Sequence, residues 1–289
     1  MNVANLIETT LESALRRIDD PAAPSGLTAA IRHAVFPGGA RVRPRLCLAT
    51  AVACGNDDPR LALAAAAAIE LLHCASLVHD DLPCFDDATL RRGRPSVHCA
   101  FGERLAVLAG DALIVLAFEV LAVAEARNPT RLAPLLRQIG RSVGSPHGIA
   151  AGQAWECEKT IDIEAYHRAK TGALFVGSAT AGALASGGCP GDWTRFGDLL
   201  GLAYQTADDL QDAVGEVQVI GKPIGRDAAL SRPSAVASLG VAGAVRRVKS
   251  LVQDAVASIP DCPGRASLIE LVFTEMRRFL PRHVELRAA

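Results

Sequence analysis

The stretch Asp80-Asp81-Leu82-Pro83-Cys84-Phe85-Asp86-Asp87 puts four carboxylates into eight residues, directly after the apolar run from Leu61 to Val78. Leu82 precedes a proline and is pushed away from α geometry, so Asp80 and Asp81 form the last turn of a helix. Carboxylates there oppose the helix macrodipole by roughly 0.3–1 kcal/mol each, and something cationic is expected to compensate. A second cluster, Asp208-Asp209-Leu210-Gln211-Asp212, lies inside another apolar segment, where Asp208 and Asp212 share one helical face at i and i+4. The plainer reading of a single acidic cluster is a solvated loop. Two aspartate faces suggest a divalent metal held between them.

Cationic groups recur near these carboxylates. Gly38-Gly39-Ala40-Arg41-Val42-Arg43-Pro44-Arg45 opens a helix with three arginines, an anion site suited to phosphate; the plainer reading is a charged helix start. His73 precedes Asp80 by seven residues, so two turns return it to about the same face. Leu90-Arg91-Arg92-Gly93-Arg94-Pro95 follows the acidic loop, and a metal–diphosphate ligand needs both carboxylates and guanidinium forks. Lys170-Thr171-Gly172 sits in mid-helix, where glycine costs about 1 kcal/mol against alanine, so Gly172 should have a packing or binding reason. Lys170 and Thr171 are candidates to touch the anion. Tyr204-Gln205-Thr206-Ala207 precedes the second aspartate face. Gly221-Lys222-Pro223-Ile224-Gly225-Arg226-Asp227 is a basic loop suited to folding over phosphate, but it lacks the order of a nucleotide-binding P-loop.

The scaffold that must position these groups is all-α. Half of the residues are hydrophobic, only 4% are aromatic, and alternating β-branched runs are absent. Helices are expected over 2–18, 27–36, 61–81, 105–126, 132–143, 147–158, 161–186 and 193–214, with a further one through Cys47 to Cys54 and two in the tail. Leu6, Leu11, Leu15 and Ile18 make a docking stripe on the first. No low-complexity linker divides the 289 residues, which therefore read as one domain. A net charge of −1 gives no reason to expect nucleic acid as a partner. Eight scattered cysteines without a C-x-x-C suit reduced thiols, and the first twenty residues lack a signal peptide's basic region, so a cytoplasmic protein is expected. The long apolar segments are interrupted by Glu70 and His73 in one and by Asp111 and Glu119 in the other; both are expected to be core helices rather than membrane spans.

With these motifs in place the chain resembles the head-to-tail (trans) isoprenyl diphosphate synthases, specifically the bacterial short-chain type that makes geranylgeranyl diphosphate for carotenoids. The resemblance runs from about Phe36 to Ser234. It implies a helical bundle around a central cavity, a homodimer, and transfer of allylic diphosphates onto isopentenyl diphosphate. The motif D-D-x-x-x-x-D matches Asp80, Asp81 and Asp86, and D-D-x-x-D matches Asp208, Asp209 and Asp212; these imply three magnesium ions on the allylic diphosphate, with Asp80, Asp81, Asp86, Asp208 and Asp212 as ligands. Arg91 matches the arginine gripping that diphosphate, with Lys170, Thr171, Gln205 and Lys222. Arg92, Arg43 and His73 match the site for isopentenyl diphosphate. The resemblance assigns catalysis to Asp80, Asp81, Asp86, Arg91, Lys170 and Asp208. One departure matters: the family's G-G-K-x-x-R-P has Ala40 in place of the lysine, so either Arg41 or Arg45 substitutes or affinity for isopentenyl diphosphate is lower. Arg232 stands where the family often has a second lysine.

Ala75 and Ser76 lie about one turn before Asp80, where farnesyl-producing relatives carry an aromatic ring. Both are small, so the growing tail is expected to pass this level and reach twenty carbons, with Phe118 as a floor. Three alternatives stay open: the same chemistry stopping at farnesyl diphosphate, a non-catalytic subunit of a heteromeric prenyltransferase, and a cyclising terpene synthase.

Overall fold

A computed structural model of the protein describes residues 2–214 and 234–279. The helices follow in order as α1 (Val3–Leu15), α2 (Ser25–Val35), α3 (Val42–Ala53), α4 (Pro59–Asp80), α5 (Val97–Phe101), α6 (Glu103–Ala122), α7 (Leu132–Val143), α8 (Ile149–Ala154), α9 (Ile163–His167), α10 (Ala173–Ala185), α11 (Gly191–Val214), α12 (Ala235–Ala257) and α13 (Arg265–Phe279). The expectation of an all-α chain holds.

Asp58 starts α4 as its N-cap, accepting from the Leu61 amide at 3.2 Å, and Pro59 follows at the first helical position, where its missing N–H is not needed. The other oxygen of Asp58 accepts from the Arg127 amide at 2.7 Å, which ties the α6–α7 connection to this cap. At the far end α4 stops at Asp80, as Pro83 requires. Its residues are apolar almost all round, which suits a helix enclosed by neighbours.

Two hydrophobic clusters fill the interior. One joins α4 to Leu11 and Leu15 of α1, Leu113 and Leu116 of α6, and Leu135 and Ile139 of α7. The other joins Phe196 and Leu200 of α11 to Val248 and Val252 of α12 and Val272 and Met276 of α13. Helix α10 serves both, giving Leu174, Ala181 and Ala185 to the first and Phe175, Ala179 and Ala183 to the second.

Three local features depart from the sequence reading. The expected helix over 161–186 is α9 and α10 joined by a π-turn, Arg168–Gly172, and such widened turns favour functional sites. The segment 147–158 is shorter as a helix, α8 followed by a 3-10 turn over Trp155–Cys157. Leu90–Arg91 pairs antiparallel with Arg94–Pro95, a small ladder that α-periodicity does not reveal. Its turn residues Arg92 and Gly93 have φ of 54° and 74°, the left-handed pair that a tight hairpin requires. The reason expected for Gly172 lies in its neighbours instead. A Cβ there would meet nothing nearer than the His167 carbonyl at 3.7 Å, whereas one on Gly201 would sit 2.7 Å from the Gly172 Cα and one on Gly152 would overlap the Lys170 backbone. Helices α8 and α11 thus press on the π-turn through bare glycines.

Candidate active site

The C-terminal end of α4, the loop after it, α8, the π-turn and α11 enclose a cavity of about 230 Å³. Asp80 and Asp86 line it from the α4 side, Asp208 and Asp212 from α11, and Lys170 and Thr171 from the π-turn. It adjoins a second cavity of about 370 Å³ lined by Ala40, Arg43, Glu70, His73 and Arg92. Arg43, His73, Leu77, Arg91, Thr171, Gln205 and Asp208 border both. The structure therefore brings together the residues that the sequence places far apart, with two exceptions and one refinement.

Asp81 is the first exception. Its side chain is 3% exposed and its carboxylate receives Arg91 Nε at 3.0 Å and Nη2 at 2.5 Å, away from the Asp80 cavity. Burial raises its pKa and the Arg91 guanidinium opposes that shift. Asp81 orients Arg91, which remains 3.9 Å from Asp80, and it is not placed as a metal ligand.

Arg41 is the second: it borders the larger cavity, but its donors are taken by protein groups. The guanidinium, 4% exposed, is held by Glu8 at 2.8 Å, Glu70 at 2.6 Å and the Val35 carbonyl at 2.8 Å. It does not take the place of the family lysine at position 40. Nor does Arg45, which pairs with Glu275 of α13 at 2.8 Å. The refinement concerns chain length: Ser76 lines the smaller cavity, whereas Ala75, 1% exposed, is packed in the first core cluster off its wall. Phe118 packs against the same cluster.

The remaining polar groups form two chains of contacts. Asp80 Oδ1 accepts from Gln153 Nε2 at 2.6 Å and Lys170 Nζ at 3.4 Å, and Lys170 also donates to Glu156 at 2.5 Å. Tyr166 donates its hydroxyl to that same Glu156 oxygen at 2.6 Å. Sequence reasoning missed Gln153, Glu156 and Tyr166 as site groups; the available signal was a glutamine beside Gly152 with an acid three residues on. In the second chain Thr171 donates to Gln205, Gln205 to Asp209, and Asp209 accepts the Ala235 amide at 2.7 Å. One Asp209 oxygen thereby fixes the start of α12, and the other holds Gln205 one turn back on α11. Lys222, the 221–227 loop and Arg232 lie outside the described residues.

In the larger cavity Arg43 lies over the Phe175 ring at 4.9 Å, its Nη1 is 3.2 Å from His73 Nε2, and its buried Nε has no hydrogen-bond partner. Such a donor fits an anion. Burial, then the charges of Arg43 and Arg92, push the His73 pKa well below its ordinary value, so the ring is neutral at pH 7. A depressed folded-state pKa contributes stability that is present above about pH 6.5 and lost as pH falls toward the folded value. His73→Asn should therefore flatten the fall in Tm between about pH 7 and pH 5, read by calorimetry; an unchanged slope would remove His73 from the acid response.

Among the described residues no three carboxylate, imidazole or thiolate groups converge to cage a metal. The donor set nevertheless fits magnesium, which prefers one or two carboxylates plus the oxygens of a bound phosphate. Asp80, Asp86, Asp208 and Asp212 supply hard oxygens on the walls of one cavity, and the buried Gln153 Oε1 there has no hydrogen-bond partner.

An all-α bundle whose cavity carries aspartates from two helices beside an arginine hairpin has the architecture of an isoprenoid synthase. The chain belongs to the polyprenyl synthetase family, whose model matches residues 24–266. It is 50% identical over 281 residues to the geranylgeranyl diphosphate synthase of Cereibacter sphaeroides, covering 97% of this chain and 98% of that protein. It is 39% identical to the farnesyl diphosphate synthase of Geobacillus stearothermophilus, over 84% of each chain. Among solved structures it resembles a Helicobacter pylori geranyltransferase complexed with magnesium and isoprenyl diphosphate, with a TM-score of 0.79 and 27% identity over 94% of this chain and 96% of that one.

Proposed function

We propose that this prenyltransferase condenses isopentenyl diphosphate with dimethylallyl, geranyl and farnesyl diphosphates to give geranylgeranyl diphosphate. The observation that carries the reading is the pair of adjoining cavities: one bears Asp80, Asp86, Asp212 and Lys170, the other bears Arg92, and Arg43, His73 and Arg91 stand on the border of both. One diphosphate fits each, with their hydrocarbon ends meeting between them.

Asp80, Asp86, Asp208 and Asp212 would hold magnesium, three ions per site on the family resemblance. When bound, the ions supply Lewis-acid stabilisation of the departing diphosphate. Arg91 and Lys170 add charge-assisted hydrogen bonds to the same leaving group as the allylic C–O bond breaks with both electrons going to oxygen. The double bond of isopentenyl diphosphate then forms the new C–C bond, and the released diphosphate accepts the proton lost from the adjacent carbon. Leu77, Ile149 and Leu174 line the cavity and exclude water from the cation. Catalysis so arranged needs no nucleophilic side chain.

Among the described residues two helices, α4 and α6, are long and apolar enough to cross a membrane. The apolar stretch of α4 is 78% buried in the bundle, and that of α6 only 44%. Val107, Leu108 and Val115 of α6 are 42%, 51% and 57% exposed along one stripe, which a second copy of the chain would cover in a homodimer. Val115→Glu should accordingly shift the protein toward the monomer mass in light scattering; an unaltered mass would place the contact elsewhere. All eight cysteines are free thiols, which supports a cytoplasmic location.

The activity is tested by incubating purified protein with magnesium, labelled isopentenyl diphosphate and dimethylallyl diphosphate. Incorporation abolished by a chelator supports the reading. Absence of incorporation by the chain alone would favour a partner-dependent subunit.

A further inference from the structure

Glu70 is a carboxylate set beside a site built for anions. It projects from α4, is 1% exposed, and borders the larger cavity with Arg43 and Arg92. Two guanidinium groups compete for it: Arg41 Nη1 at 2.6 Å and Arg92 Nη2 at 3.9 Å. Arg41 has the advantage because its other donors are also anchored, on Glu8 of α1 and on the Val35 carbonyl. The anchoring holds a non-glycine residue at φ 51° and ψ 38°, a left-handed conformation that costs free energy and persists only where surroundings enforce it. The adjacent Gly38 leaves the room that the Arg41 side chain occupies, since a Cβ there would overlap it. Without Arg41, the next cation in reach of Glu70 is Arg92, and a buried carboxylate does not stay unpaired.

We propose that Arg41 is a positioning residue for the second diphosphate: by neutralising Glu70, with Glu8 holding it from α1, it leaves Arg92 and Arg43 directed at the substrate. The N-terminal helix thereby acts on affinity without lining the cavity. This inference rests on the reading of the larger cavity as the isopentenyl diphosphate site.

The test is a double-mutant cycle with the full chain, measured as KM for each substrate and as isopentenyl diphosphate affinity by calorimetry without allylic substrate. R41M should weaken isopentenyl diphosphate about tenfold, with KM for the allylic diphosphate changed less than about twofold. R41M/E70Q, which removes the unpaired carboxylate, should return affinity to within about threefold of the parent. E8Q, which retains the Glu70 pair, should fall between the parent and R41M. A merely structural Arg41 would lower Tm without separating the two substrates. The inference is overturned if R41M leaves isopentenyl diphosphate affinity intact, or if the double variant binds no better than R41M. Should R41M not fold, the double variant and E8Q decide: parent-like affinity in the first with weakened affinity in the second supports the inference, and any other pairing overturns it. If the parent itself shows no saturable isopentenyl diphosphate binding, the assignment of the cavity fails instead.

Discussion

Asp80→Ala is expected to lower kcat by about 10²–10³-fold, the loss typical of removing one preorganised electrostatic group from a reacting centre. Asp80 joins three polar side chains of the cavity: it accepts from Lys170 and Gln153 and lies 3.9 Å from Arg91. Its removal takes away a proposed metal oxygen and leaves Glu156 as the carboxylate partner of Lys170. The variant should fold with a Tm close to the parent's, because the Asp80 side chain reaches the cavity and the helix ends at the same place regardless. Asp209→Ala provides the contrast. Its carboxylate holds Gln205 and the Ala235 amide, so Tm should fall by several degrees, as expected for about 1–2 kcal/mol lost with a helix cap. Steady-state kinetics and calorimetry on both variants check this; an Asp80→Ala enzyme within about threefold of the parent would remove Asp80 from the reaction.

Ser76→Phe is expected to move the main product from twenty to fifteen carbons. Ser76 lies one turn before Asp80 on the cavity wall, with its hydroxyl turned back to the His73 carbonyl at 2.8 Å. A ring at that position occupies the volume through which a fifteen-carbon tail must extend to accept another five-carbon unit. The shorter condensations need no such space and should keep their rates within about threefold. Ala75→Phe separates cavity from core. Ala75 is packed among apolar neighbours, so the added ring should destabilise by about 1–3 kcal/mol through overpacking and leave chain length unaltered. Chromatography of the products from each variant distinguishes the two positions; a shortened product from Ala75→Phe alone would move the tail to the Ala75 face of α4, about 100° round the helix.

The residues predict some of this arrangement directly. Proline after Leu82 ends α4 where the carboxylates begin, and the i, i+4 spacing of Asp208 and Asp212 puts both on the cavity wall. Helical periodicity also locates the α4, α7 and α11 segments. It fails at the π-turn, because an extra residue in one turn leaves no trace in an apolar and small-residue pattern, and the turn is what aims Lys170 and Thr171. The pairing of buried charges is likewise hidden from sequence. Arg41 and Arg43 differ by two positions, yet one is held by acids from α1 and α4 and the other borders both cavities. Asp80 and Asp81 are adjacent in the same motif, but the helix end sends one to the cavity and the other to Arg91. Such choices depend on contacts between segments far apart in the chain.

The most direct measurement incubates the purified protein and magnesium with labelled isopentenyl diphosphate and, in turn, dimethylallyl, geranyl and farnesyl diphosphates, and resolves product chain lengths. A dominant twenty-carbon product from every acceptor, lost on chelation, is the predicted result. Accumulation of fifteen-carbon product, with farnesyl diphosphate left unextended, would contradict it.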